Sequence, residues 1–441
     1  MSFLPDLGNV VISVLAFIAA LSVIVSIHEY GHYIVGRWCG IHAEVFSVGF
    51  GPAMWSRYDK RGTKWQIAAL PFGGYVKFLG DANAASAGAD EGVISGLSKE
   101  ERRHTMEGAP LWARAATVAA GPIFNFILAF FVFFGTNLYT GTVSEPLTIA
   151  TLYDLPYENE LHEGDQILAV NGIGLDDPEF MDKLDAFAGE TLLNYDVLRD
   201  GREMTLVGPV FVPARVASTD PTLPARAAGV EVGDVIISVS GQSVVSFYDI
   251  IDPVTELAGA PVTMEIWRAG EVMEISVTPK QVDLPLPDGG FENRWLMGIT
   301  SSYFFEPLIE TPTVGRAAYN GVWEIWWRIE TTFSGIYHMI VGDISTCNLS
   351  GPIGIAEISG TAAKEGLLTF ISFIGVISLA VGLVNLLPIP ILDGGHLVFF
   401  AYEGVTGRKL NENVLGAVMA VGMALILTLM LFATGNDILC P

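Results

Sequence analysis

The sequence predicts a polytopic α-helical membrane protein, with four transmembrane helices and two tandem β-rich modules inserted between the second and the third. Three observations carry that prediction. Mean hydropathy is +0.46, and only 16% of the 441 residues are charged, against about 25% in an ordinary soluble chain. Four apolar runs are long enough to cross a hydrocarbon core of about 30 Å. Between Gly141 and Glu310, carboxylates outnumber Lys and Arg by roughly three to one, so a separate, water-exposed region carries most of the net charge of −25. An acidic field of that kind repels nucleic acid and anionic head groups, which excludes functions built on a basic patch.

The first run, Val10 to Val35, is a span rather than a cleaved signal peptide. No basic residue precedes it, no small-residue cleavage site follows, and it continues into polar chemistry at His28. Further spans are expected at Leu111–Leu138, Leu367–Phe400 and Val414–Ala433. Arg37, Arg57, Lys60, Arg61, Lys64 and Lys77 lie between the first two spans, and Arg408 and Lys409 lie between the last two. Basic residues near span ends favour the cytoplasm. The acidic region and both termini are therefore expected outside it, including a short tail at 435–441, with a cytoplasmic loop at 401–413.

The modules are visible as an internal repeat. Glu163-Gly164-Asp165-Gln166-Ile167-Leu168-Ala169-Val170-Asn171-Gly172 aligns with Val232-Gly233-Asp234-Val235-Ile236-Ile237-Ser238-Val239-Ser240-Gly241 at an offset of 69, and the same offset carries Arg199-Asp200-Gly201 onto Arg268-Ala269-Gly270. Domains are expected at 141–215 and 216–282, followed by a linker with amphipathic helices at 283–366. Within that linker, Thr311 to Gly342 sets Trp323, Trp326 and Trp327 among Arg316, Glu324, Arg328 and Glu330. It holds too many charges to span, and its tryptophans suit a head-group layer; burial against the modules is the competing reading.

Three cysteines cannot build a disulfide framework. Cys347 and Cys440 flank the last two spans on the expected outer side, where an oxidising compartment would let them pair. Two unpaired thiols fit the sequence equally well.

The chemistry concentrates at His28-Glu29-Tyr30-Gly31-His32. Two histidines four apart share one helix face and can reach one ion, while Glu29 beside them can take a proton from water instead of binding the metal. Zn²⁺ is the natural occupant of such a pair. A polar helix can carry the string by accident, but ionisable groups in lipid are costly unless coordinated, paired or wetted. A third ligand is expected from the third span, in Asn385-Leu386-Leu387-Pro388-Ile389-Pro390-Ile391-Leu392-Asp393-Gly394-Gly395-His396. Two prolines and two glycines forbid a regular helix there, and irregular backbone at membrane depth is tolerated where it lines a protein-enclosed cavity. Asp393 is the carboxylate of this span, and its inward run brings it to the depth of His28 and His32. His396 reads as a neighbour of that site or as an interfacial histidine. In the second span, Gly121-Pro122-Ile123-Phe124-Asn125 places a helix breaker and an amide at similar depth, so Asn125 either lines the cavity or bonds between helices.

HEYGH in a first span, Asn-x-x-Pro-x-Pro-x-Leu-Asp-Gly in a late one and two modules between them resemble the site-2 protease family of intramembrane zinc proteases, over essentially the whole chain. The Gly-Asp-x-Ile-x-x-Val-x-Gly repeat resembles PDZ domains of the bacterial protease type, whose groove accepts an extended peptide by strand addition. The resemblance implies that His28, His32 and Asp393 bind Zn²⁺, that Glu29 is the catalytic base, and that Asn385 positions substrate or stabilises the reacting carbonyl. Lys64 to Gly80 alternates partly like strands around Pro71, Gly73 and Gly74. The matching family region is a membrane-dipping β-element, whose open edge could pair with an unwound substrate; a plain cytoplasmic hairpin is the alternative. Family substrates are single-span membrane proteins already shortened outside, typically an anti-sigma factor, and remnant signal peptides. The implied location is the bacterial cytoplasmic membrane. Two rivals are a membrane PDZ scaffold without turnover and a zinc protease acting on soluble peptides at the membrane surface.

Overall fold

The computed structural model describes residues 7–81, 91–184, 187, 189–286 and 290–440; part of the predicted loop 38–110 lies outside them. Among the described residues, four helices are long and apolar enough to cross a membrane: Gly8–Trp38, Leu111–Thr140, Leu367–Asn385 and Asn413–Leu439. Within the expected segment Leu367–Phe400 the helix is broken, as its prolines and glycines require. Its helix ends at Asn385, a turn follows, and a second helix runs from Asp393 to Thr406. Pro388 and Pro390 cannot donate to a helical ladder. Gly394 and Gly395 then let the new helix start against the preceding turn, since a Cβ at either would lie 2.3 Å from the carbonyl oxygen of Leu387 or Ile389.

The chain divides into two compact units, 1–137 with 314–330 and 346–441, and 138–313 with 331–345. In the first unit, β1 (Ala43–Tyr58) pairs with β2 (Lys64–Phe78). Val45–Val48 pairs on one side with Lys64–Ile67 and on the other with Gly74–Lys77, while Trp55–Tyr58 pairs again with Lys64–Ile67. Two strands thus fold into four rows, and the bends fall where Gly49 and Gly73 take φ of +90° and +108°, values that suit glycine. The Lys64–Gly80 element was expected; its long partner was not.

The helix Pro352–Glu365 packs beside the first, third and fourth spans. Its N-terminus is held from another helix, because Asp437 accepts backbone hydrogen bonds from Gly351 (2.7 Å), Ile353 (3.0 Å) and Gly354 (3.1 Å). Cys347 and Cys440 form a disulfide next to this cap, so the pairing left open above is made. The tryptophan-rich helix spans Val314–Val341. Asn320 bonds Asn137, Arg328 lies 5.2 Å over the Phe133 ring, and Gly321 fits against the Phe134 backbone. Trp323, Trp326 and Trp327 stay about half exposed, at 56%, 60% and 48%.

In the second unit the repeat is structural. One sheet orders Ile173–Gly174, Gln166–Val170, Leu192–Arg199 and Arg202–Pro209; the other orders Gln242–Ser243, Val235–Val239, Val262–Arg268 and Glu271–Val277. Gln166 pairs with Leu198 as Val235 pairs with Trp267, and each central pair carries a register shift at the matching place. Arg199 forks onto Asp165 (2.6 and 2.7 Å) and reaches the Glu160 carbonyl, just as Arg268 forks onto Asp234 (2.6 and 2.7 Å) and reaches the Gly229 carbonyl. Each carboxylate is 1% exposed, a bidentate pair that ties the turn before one strand to the end of its neighbour.

The segment after 282 does more than link. Phe305–Pro307 pairs with Ile149–Leu152, and Phe304 and Phe305 are fully buried in the first module's core beside Tyr195, Ile167 and Leu161. Met297 joins the second module's core with Ile236, Met264 and Ile266. Returning chain therefore completes both modules, because a half-sheet of this size leaves one apolar face open without it.

Candidate active site

The site grows from one turn of the first helix. Residues four apart stack on a helix face, and His28 Nε2 and His32 Nε2 lie 3.2 Å apart. The helix that starts at Asp393 brings the carboxylate Oδ2 to 3.1 Å from His28 Nε2 and 3.5 Å from His32 Nε2. One donor atom from each of the three falls within 4.8 Å of the others.

Two imidazole nitrogens and one carboxylate oxygen are the donor set of a three-ligand zinc site with room for water. Asp393 Oδ2 is shielded from solvent without a directed hydrogen bond. A buried acceptor left in that state is costly, and a cation between the three groups would satisfy it. The residues present therefore fit Zn²⁺.

The second span supplies the surroundings. His32 Nδ1 donates to the Thr117 carbonyl (2.8 Å), and the Asn125 amide meets His28 Nδ1 at 3.3 Å. Gly121 faces the pair so closely that a Cβ would lie 2.3 Å from His32 Nε2 and 2.8 Å from His28 Nε2. Gly31 in turn meets the Ala120 carbonyl, with 2.5 Å for a Cβ. Two helices that touch through glycine can approach backbone to backbone.

Glu29 lies beside the histidines, partly buried, and the Val76 backbone N–H bonds its carboxylate. Gly74 is 3.5 Å from Glu29 Cγ at its Cβ position, so the β2 edge runs past the acid. Gly73, at positive φ, packs against the Phe50 ring. Thus His28, Glu29, His32, Asp393, Asn125 and Gly74 come together. Asn385, half-buried at the last position of its helix, makes no hydrogen bond to the cluster.

Sequence reasoning missed Thr117 and gave Gly121 no role. The signal was available: Arg114, Thr117, Gly121 and Asn125 recur every three or four residues along an otherwise apolar helix, which defines one polar or notched stripe.

The description peptidase family M50 matches residues 16–429. A protein of Agrobacterium fabrum provisionally named a zinc metalloprotease is 36% identical over 428 residues, covering 96% of this chain and 95% of the relative. A similarly named protein of Rhizobium meliloti is 33% identical over 439 residues, covering 99% of each. The regulator of sigma-E protease RseP of Salmonella typhimurium is 31% identical over 462 residues, covering 96% of this chain and 97% of the relative. The chain belongs to peptidase family M50, the site-2 proteases, and is a zinc metalloprotease of that type.

Proposed function

We propose that this protease hydrolyses a peptide bond in or near the transmembrane segment of single-span membrane proteins, with His28, His32 and Asp393 as zinc ligands and Glu29 as the catalytic base. The observation that carries this reading is the convergence of three donor atoms within 4.8 Å, two from within the first apolar span and one from the helix that follows the third. Bound zinc acidifies water and polarises a carbonyl. Glu29 takes the proton of the attacking water and returns it to the leaving amine. Peptide bonds in a regular helix are closed by their own hydrogen bonds, so the substrate must unwind locally. The β2 edge at Gly73 and Gly74, running past Glu29, offers an unwound segment backbone partners by strand addition. Asn385 and Asn125 are further candidates for contact with the substrate.

The two β-rich modules are read as PDZ-like domains on the extracytoplasmic side of the bacterial inner membrane, together with both termini. There they hinder bulky intact substrates and admit trimmed ones such as a shortened anti-sigma factor or a remnant signal peptide. The RseP relative is named a regulator of sigma-E, which is consistent with a substrate that controls a sigma factor, and the lysine and arginine distribution supports the orientation.

Replacement Glu29→Gln tests the reading: cleavage is lost while zinc is kept, and single-span fragments accumulate in membranes of the variant. Replacement Asp393→Asn lowers zinc content; unchanged zinc and activity would remove Asp393 from the site. Equal cleavage of a soluble version of the substrate would point instead to a protease working at the membrane surface.

A further inference from the structure

Resting on that assignment of the ligands, we propose that the second span is the positioning element of the zinc site, and that Asn125 is the residue that fixes His28 in its metal-binding tautomer. A neutral imidazole binds metal through one nitrogen and carries its proton on the other. The two Nε2 atoms face Asp393, so metal binding puts the proton of each histidine on Nδ1. Each Nδ1 then needs an acceptor.

His32 has one in the Thr117 carbonyl at 2.8 Å. His28 faces the Asn125 amide at 3.3 Å, with Nδ2 nearest, while Asn125 Oδ1 is buried without a hydrogen bond. An amide nitrogen cannot accept from Nδ1–H. A half-turn of the amide about its last torsion exchanges its oxygen and nitrogen, gives His28 its acceptor and gives the orphaned oxygen its donor. Asn125 is fully buried, and its backbone carbonyl accepts from Ser378 Oγ at 3.0 Å, so the main chain that carries the amide is held from the third span. One helix stripe thus serves all three ligands. Thr117 orients His32, Gly121 leaves the space in front of both imidazoles, Asn125 orients His28, and Arg114 grips Glu403 (2.6 Å) on the helix that begins at Asp393.

The test compares the full-length protein in detergent with Asn125→Asp, which keeps an acceptor, and Asn125→Leu, which keeps the volume without one. Zinc affinity is measured by chelator competition, and the ligand field by the absorption of the cobalt-substituted protein. We expect Asn125→Leu to lose about tenfold or more in affinity, the usual cost of removing a ligand's orienting partner, with a changed cobalt spectrum, and Asn125→Asp to stay within a few fold of wild type. A leucine variant that binds zinc like wild type but cleaves slowly would overturn the proposal and leave Asn125 with the substrate contact as its sole role. Equal affinity loss in both variants would also overturn it, by showing a packing role. If the wild type binds no zinc while Glu29→Gln still abolishes cleavage, the ligand assignment itself falls.

Discussion

Gly121 has no side chain because two imidazole nitrogens occupy the place one would take. Its Cβ would sit 2.3 Å from His32 Nε2, closer than van der Waals contact allows, and neither ring can retreat without leaving the ligand arrangement. We expect Gly121→Ala to cut zinc retention by about tenfold, in line with other changes to a ligand's support; metal analysis after dialysis checks it, and full zinc content would sink the argument. HEYGH and Asp393 were legible in the sequence because charged groups in apolar runs stand out. Thr117 was not, since its part is played by a backbone carbonyl that every residue type possesses.

At the level of elements, three contacts between distant segments set the geometry. Arg114 and Glu403 pair at 2.6 Å with 10% and 19% of their side chains exposed. Breaking a buried pair leaves one charge uncompensated, at a cost of about 3 kcal/mol. Glu403→Ala should therefore lower thermal stability and zinc retention together, while the exchange Arg114→Glu with Glu403→Arg should restore part of both; no recovery in the exchange would argue against the pair. Asp437 caps a helix more than 80 residues away in sequence, and Asp437→Ala should cost about 1 kcal/mol, the usual worth of an N-cap, read as a fall in Tm. In the first module, burial works to raise the Asp165 carboxyl above its ordinary 3.8, but the Arg199 fork and the His162 backbone N–H hold it lower. A carboxyl depressed on folding stabilises the module above its unfolded value, and that stabilisation is lost as pH falls through the folded value. The stability gap between wild type and Asp165→Asn should accordingly be full at pH 7 and shrink on acidification below about pH 4; a gap independent of pH would refute the assignment.

For the molecule as a whole, the disulfide closes a sequence separation of 93 residues that contains the third span, the Asp393 helix and the fourth span. Closing a loop of that length restricts the unfolded chain by about 4.6 kcal/mol in the entropic account. Cys347→Ser should lower the thermal stability of the detergent-solubilised protein and make it fall further when zinc is chelated; identical melting with and without the bridge would show that neighbouring contacts suffice. Both β-rich modules likewise depend on chain beyond residue 282, since Phe304, Phe305 and Met297 are buried in their cores. The strand Phe305–Pro307 that pairs with the first module was not legible in the sequence, because a run of three residues carries too little alternation to register as a pattern.

The sequence alone determined the four apolar spans, the tandem repeat at an offset of 69 and the pairing of His28 with His32 on one helix face, because hydropathy, self-similarity and helical spacing are properties of neighbours along the chain. It also required the break after Asn385, since proline cannot donate a backbone hydrogen bond. Only the tertiary structure decided that Asp393 meets both histidines, that the β2 edge passes Glu29, and that one stripe of the second span lies against His28 and His32. Those relations join residues tens to hundreds of positions apart, and they arise from glycine-permitted helix contacts and buried polar pairings that no local pattern encodes.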